Sequence, residues 1–200
     1  MSNNASKFLH RKENVILTAI EIIDDLGIQG LSTREIAKRQ GISEGTLFRH
    51  FKSKNEIVLD MLDYFSKYDS DIFQSVKLKG LKMKEAIVFL VDSYVTYYEN
   101  YPAITAVTQI YGVLLSEPDF VDRIKSILCS RKNFLKDVIE EGKKAGEINP
   151  EVDSGIVADI IIGTFGNICL EWRLNGRNFS LRSKTLMAIN MILGGLSRLK

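Results

Sequence analysis

Apolar positions recur at three- and four-residue spacing along nearly the whole chain, and nowhere do they alternate as in a strand. Residues 6–26 place Val15, Ile16, Ala19, Ile20 and Ile23 on one helical face. Two shorter apolar patterns follow, one at Ile36–Ala37 and one at Leu47–Phe51. Longer ones then run over 54–75 and Met83–Glu99, with Gly80 between them. Pro102 predicts the first turn of a helix to Leu115, and Ser116-Glu117-Pro118 ends it. Helices are predicted over Asp119–Lys144, stopping near Gly146, and from Asn149-Pro150 to Leu174. After Asn175-Gly176, Ser180 caps a final helix to Leu199. The predicted fold class is all-α with about nine helices.

The last two predicted helices are apolar on more than one face. One carries Ile156, Val157, Ile160, Ile161, Ile162, Phe165 and Ile168, with Gly163 and Gly166 allowing close approach. The other carries Leu186, Met187, Ile189, Met191, Ile192, Leu193 and Leu196. A helix apolar around most of its circumference must be covered on several sides. One side meets its own domain, and a second copy of the chain is the expected cover for the other. A core helix of a monomer is the competing reading.

Residues 31–54 carry the densest signal. Ser32 and Glu35, then Ser53 and Glu56, have the S-x-x-E spacing of capping boxes, and Ser43 is an N-cap candidate between them. Gly41 can take the left-handed conformation that ends a helix. Ile36, Ala37, Leu47 and Phe51 face inward, with Ile42 as a plug between helices. Glu44, Gly45, Thr46, Phe48, Arg49 and His50 show on the other face of a helix over 44–50. Two short capped helices around a glycine turn, with basic and hydroxyl residues outward, form the pattern of a DNA-reading helix-turn-helix over about 32–51.

Residues 9–65 resemble the DNA-binding domain of the tetracycline-repressor (TetR) family of bacterial transcription regulators. The match rests on Leu26-Gly27, Leu31-Ser32-Thr33-Arg34-Glu35-Ile36-Ala37, Gly41-Ile42-Ser43, Gly45-Thr46-Leu47-Phe48-Arg49-His50-Phe51 and Lys52-Ser53-Lys54. The resemblance implies an N-terminal DNA-binding domain over 1–54 and a C-terminal helical ligand-binding and dimerisation domain over 55–200. It implies phosphate contacts from Thr33 and Lys54, and places Arg34, Glu44, Gly45, Thr46 and His50 at or near base edges. Ser43, Phe48, Arg49 and Lys52 complete the expected DNA surface. Phe48 departs from the family, which usually has tyrosine there. Phe48 lacks the hydroxyl for a phosphate but can pack on sugar or a thymine methyl. The resemblance further implies a homodimer through the last two helices, two recognition helices on a palindromic double-stranded operator, and repression relieved by a small apolar or amphipathic effector.

Composition changes this picture little. The 200 residues can build one large or two modest cores, and 45% hydrophobic residues exclude global disorder. Net charge is only +2, but residues 1–54 hold nine basic against six acidic residues, while the remainder holds 18 against 19. Cys129 and Cys169 lie in apolar contexts without metal-ligand spacing and read as reduced core residues of a cytoplasmic protein, in preference to a disulfide. The polar start Met-Ser-Asn-Asn-Ala-Ser lacks a signal-peptide core. Ile156–Leu170 is the most apolar stretch, but Asp159 and Asn167 interrupt it, so no membrane partner is expected. There is no phosphate-binding glycine loop, metal-ligand cluster or Ser-His-Asp set, so no enzyme activity, cofactor or metal is expected.

Polar and aromatic residues on the middle and late helices suggest an effector cavity: Phe89, Tyr94, Tyr98, Gln109, Tyr111, Phe165, Asn167 and Trp172. Asp92 or Glu171 would suit a cationic effector and Arg173 an anionic one. The alternative reading is a DNA-bound protein whose C-terminal domain engages a protein partner.

Overall fold

The computed structural model describes residues 2–196. Among them it is all-helical: α1 (Ser2–Gly30), α2 (Thr33–Arg39), α3 (Glu44–Leu47), α4 (Lys54–Ser66), α5 (Asp69–Lys79), α6 (Met83–Asn100), a 3-10 turn (Pro102–Thr105), α7 (Ala106–Gln109), α8 (Tyr111–Leu114), α9 (Pro118–Lys144), α10 (Ser154–Leu174) and α11 (Leu181–Gly195). Residues 197–199 of the expected last helix lie outside the described residues.

The chain forms two compact units, residues 1–67 with 103–125, and residues 68–102 with 126–200. The division expected between residues 54 and 55 falls inside the first unit. There it would separate Ser53 from α4, whose Glu56 amide donates to the Ser53 hydroxyl at 3.2 Å.

In the first unit, α1 and α4 bury Ile20, Ile22, Met61 and Leu62 completely. α2, α3 and the turns that follow α3 close the core with Ile36, Leu47 and Phe51. α1 is regular to Leu26, and Gly27 leaves the helix at φ 70°. Lys12 approaches Glu56 and Asp60 at 3.7 and 3.6 Å and lies 4.8 Å above the Phe51 ring. Its stem and charge thus tie α1 to α4. The single helix expected from Pro102 to Leu115 is a 3-10 turn followed by two four-residue helices. Ile104, Val107 and Leu114 nevertheless remain buried.

In the second unit, α6 packs on α5 and α11, and α10 on α11. The helix expected over 54–75 is broken after Ser66, and α5 starts afresh at Asp69. Close approach has a glycine where it is needed: a Cβ on Gly142 of α9 would sit 2.6 Å from the Met83 side chain of α6. The helix expected from Pro150 begins at Ser154, because Asp153 caps it by accepting from the Ile156 amide at 2.9 Å. Asn149 instead accepts from the Glu151 amide in a local turn. α10 has the length and composition to cross a bilayer, which the reading of its polar interruptions did not anticipate. Its Val157, Ala158, Ile161, Ile168 and Cys169 are buried in the protein core.

A helix-turn-helix that faces outward

Each turn of the helix-turn-helix has a local cause. Ser32 caps α2, accepting from the Glu35 amide at 3.1 Å. Glu35 does not complete a capping box; its carboxylate meets Arg39 at 3.2 Å and Lys38 at 3.6 Å. Arg39 also reaches Asp25 at 2.8 Å, which fixes α2 on α1. α2 ends in paired bonds, from the Ile42 amide to the Ala37 carbonyl at 3.0 Å and from the Gly41 amide to the Lys38 carbonyl at 3.2 Å. This closure requires a left-handed residue, and Gly41 supplies it at φ 63°. Ser43 then caps α3, accepting from the Thr46 amide at 3.1 Å.

α3 is shorter than the helix expected over 44–50. After Leu47 the chain tightens into i→i+3 turns, from Arg49 to Thr46 and from His50 to Leu47. The cause is the inward pull of Phe51, which is 1% exposed and ends the segment in the core. Ser53 caps α4, while the Lys52 amide, one residue earlier than a capping box uses, donates to Glu56.

The expected DNA residues share this surface. Arg34, Ser43, Glu44, Gly45, Phe48, Arg49, Lys52 and Lys54 are exposed, and Thr33, Thr46 and His50 are half-buried. Their side chains are linked. The Thr33 hydroxyl donates to the Glu44 carboxylate at 2.8 Å. Arg49 donates to the Thr46 hydroxyl at 2.9 Å, and the Ser43 and Thr46 hydroxyls lie 3.0 Å apart. A Cβ on Gly45 would meet only the Ser43 hydroxyl, at 3.8 Å, so space for another molecule remains beside the helix. Burial, followed by the charges of Arg11, Arg49 and Lys12, lowers the His50 pKa and favours neutral imidazole.

The expected effector residues divide. Tyr94, Tyr98 and Phe165 come together, with the Tyr98 and Phe165 rings stacked at 5.5 Å and the Tyr94 ring 6.5 Å from Phe165. They surround an ion pair that the residue pattern did not single out. Arg131 donates to both Asp69 oxygens at 2.7 and 2.9 Å, the Tyr94 hydroxyl donates to Asp69 at 2.8 Å, and the guanidinium lies 4.8 Å above the Tyr94 ring. Burial pushes the Tyr98 phenol up to about 12. A signal existed: Arg131 interrupts the apolar seam Ile124, Ile127, Phe134, Leu135, Val138 of α9.

The other five expected effector residues lie elsewhere. Phe89 lines a separate open hollow of about 320 Å³ with Tyr68, Ile72, Ser93 and Tyr97. Gln109 and Tyr111 belong to the first unit, where Gln109 is exposed and Tyr111 meets Phe65 edge-on at 6.1 Å. Asn167 is exposed. Trp172 closes the α10–α11 turn by donating to the Phe179 carbonyl at 2.9 Å. The charged candidates are engaged as well, Asp92 by Arg182 and Glu171 by Lys184.

Residues 15–61 match the family described as bacterial regulatory proteins, tetR family, and residues 64–195 match the YsiA-like protein C-terminal region. The chain belongs to the tetR family of bacterial regulatory proteins. It is a DNA-binding transcriptional regulator. Among its relatives is the fatty acid metabolism regulator protein of Bacillus subtilis, 22% identical over 183 residues, covering 91% of this chain and 93% of that one. The HTH-type transcriptional repressor KstR2 of Mycolicibacterium smegmatis is 23% identical over 188 residues, covering 94% and 91%. The fold is shared with the solved structure of FadR from Bacillus subtilis in complex with stearoyl-CoA, at a TM-score of 0.80 and 22% identity, over 92% of this chain and 98% of that one.

Proposed function

We propose that this regulator is a homodimeric repressor whose operator affinity falls when an amphipathic effector, of the fatty acyl-thioester class, binds in its second unit. The observation that carries the reading is the outward face of the helix-turn-helix, where Thr33, Arg34, Thr46, Arg49 and Lys54 gather donors suited to phosphates and base edges. Two copies joined through α10 and α11 present two such faces to a palindromic site in the cytoplasm. The effector class is suggested by the stearoyl-CoA bound to the relative of the same fold. The stacked rings of Tyr98 and Phe165 offer apolar surface for an acyl chain.

An effector shifts operator affinity only by its differential affinity for the DNA-competent state and for the state that is not. The test begins with duplexes selected by the protein from a random library. Fluorescence anisotropy then compares a selected duplex with a random one at two salt concentrations, before and after stearoyl-CoA, with coenzyme A alone as control. Salt-dependent preference for the selected duplex, weakened by stearoyl-CoA and unaffected by coenzyme A, is the expected result. Equal affinity for both duplexes would overturn the operator reading. Undiminished preference at saturating stearoyl-CoA would overturn the effector class.

A further inference from the structure

The hydrogen bond between Thr33 and Glu44 joins two residues that DNA would otherwise claim separately. A threonine hydroxyl has a single proton to donate. In the free protein the Thr33 proton is given to Glu44 at 2.8 Å, across the turn from α2 to α3. An O–H donated to a carboxylate is a strong, charge-assisted bond. Thr33 therefore cannot donate to a DNA phosphate while Glu44 holds it. Glu44 is exposed, is the first residue of α3 and brings a negative charge to a surface otherwise crowded with donors.

We propose that Glu44 is a specificity gate: its carboxylate stands in for a DNA phosphate on Thr33 and leaves only when a base edge offers it a donor instead. This deepens, and rests on, the reading of the helix-turn-helix as the DNA-binding element. In the major groove an ionised carboxylate can only accept, and cytosine presents the N4 amino group that suits it. On a sequence with that amino group in reach, Glu44 exchanges one donor for another and Thr33 passes its proton to a phosphate. On a sequence without it, either Thr33 stays engaged or Glu44 is left facing acceptors and phosphates. Random DNA is penalised in both cases, and the penalty does not depend on the cationic residues that supply general affinity. Gly45 next to Glu44 leaves the space into which a base edge can come.

The gate is tested with Glu44→Gln, which keeps the side-chain shape and removes the charge, and Thr33→Val, which keeps the shape and removes the proton. Affinities are measured by anisotropy for a random duplex and for a duplex selected by the wild-type protein. Glu44→Gln is expected to tighten the random duplex about fivefold to tenfold and to shrink the ratio between the two duplexes. In the Thr33→Val background the same change is expected to gain clearly less than with the hydroxyl present, because only the repulsion of the carboxylate is then relieved and no hydroxyl is left to release. Fresh selection with Glu44→Gln is expected to lose a cytosine preference at one position per half-site. An unchanged affinity ratio, or an equal gain with and without the Thr33 hydroxyl, would overturn the gate and reduce Glu44 to a repelling surface charge. Thermal unfolding of each variant checks that the head remains folded. Failure of the wild-type protein to distinguish the two duplexes would count against the DNA reading itself, a result separable from either outcome of the variants.

Discussion

Thr46 and Lys54 represent the two kinds of contact a DNA reader needs, and they are expected to fail differently. Lys54 is exposed at the start of α4, where the proposed DNA reading has it supply charge to a phosphate. Lys54→Ala is expected to weaken selected and random duplexes alike and to lower the salt slope by about one. Thr46 holds Arg49 at 2.9 Å on the face of α3, so its loss disturbs one side chain near the bases and another beside it. Thr46→Ala is expected to weaken the selected duplex by about tenfold and the random duplex far less. Equal losses on both would remove Thr46 from the base-proximal set. His50 adds a pH dependence whose sign follows from its surroundings. Its pKa is lowered in the free head, first by burial and then by three neighbouring cations. A phosphate brought near it raises that pKa, so binding takes up a proton. The extra affinity is complete below the free-state pKa and is lost as pH rises through the bound-state pKa. Affinity is expected to fall by up to about tenfold per unit of difference between those pKa values. His50→Gln should flatten this profile; an unchanged profile would place the titrating group elsewhere.

At the scale of elements, the cap residues were legible and the interruptions were not. Ser32, Ser43 and Ser53 announce three helix starts because one hydroxyl and one amide, three residues apart, settle each. The break between α4 and α5 carries no glycine or proline. It coincides with a long-range need, since Asp69 at the start of α5 must meet Arg131 of α9, 62 residues later. Spacing along the chain cannot reveal such a partner. The effector candidates were legible only in part for the same reason: Tyr94 and Tyr98 of α6 meet Phe165 of α10 through packing between the two helices, while Gln109, Tyr111 and Trp172 have other neighbours. Asp69 and Arg131 have side chains only 10% and 16% exposed, so their separation is costly. Asp69→Asn is expected to lower unfolding free energy by about 3 kcal/mol, since it leaves a buried guanidinium without its counter-charge. Adding Arg131→Met should restore most of that loss in denaturant titration. A single-variant loss under about 1 kcal/mol would mean the pair is better solvated than its burial implies.

For the whole molecule, the decisive surface is the outer face of α10 and α11. Leu174, Met187 and Met191 are 78%, 67% and 73% exposed, and Ile156 and Ile160 extend the same apolar character along α10. Apolar surface of this kind on adjacent helices marks an association site, and in the proposed homodimer the same residues of a second copy cover it. Replacing both Met187 and Met191 by Glu puts four like charges into a symmetric interface without touching a buried residue of either helix. Sedimentation is expected to shift from two chains to one, with the helical content unchanged. Each chain would then hold a complete helix-turn-helix but lose the second half-site. The selected palindromic duplex should therefore weaken by about a hundredfold or more, through lost bivalency. A duplex with a single half-site should weaken little, because its contacts come from one head. If the charged variant stayed dimeric, or lost both duplexes equally, the α10–α11 face would not be what sets two recognition elements on one operator.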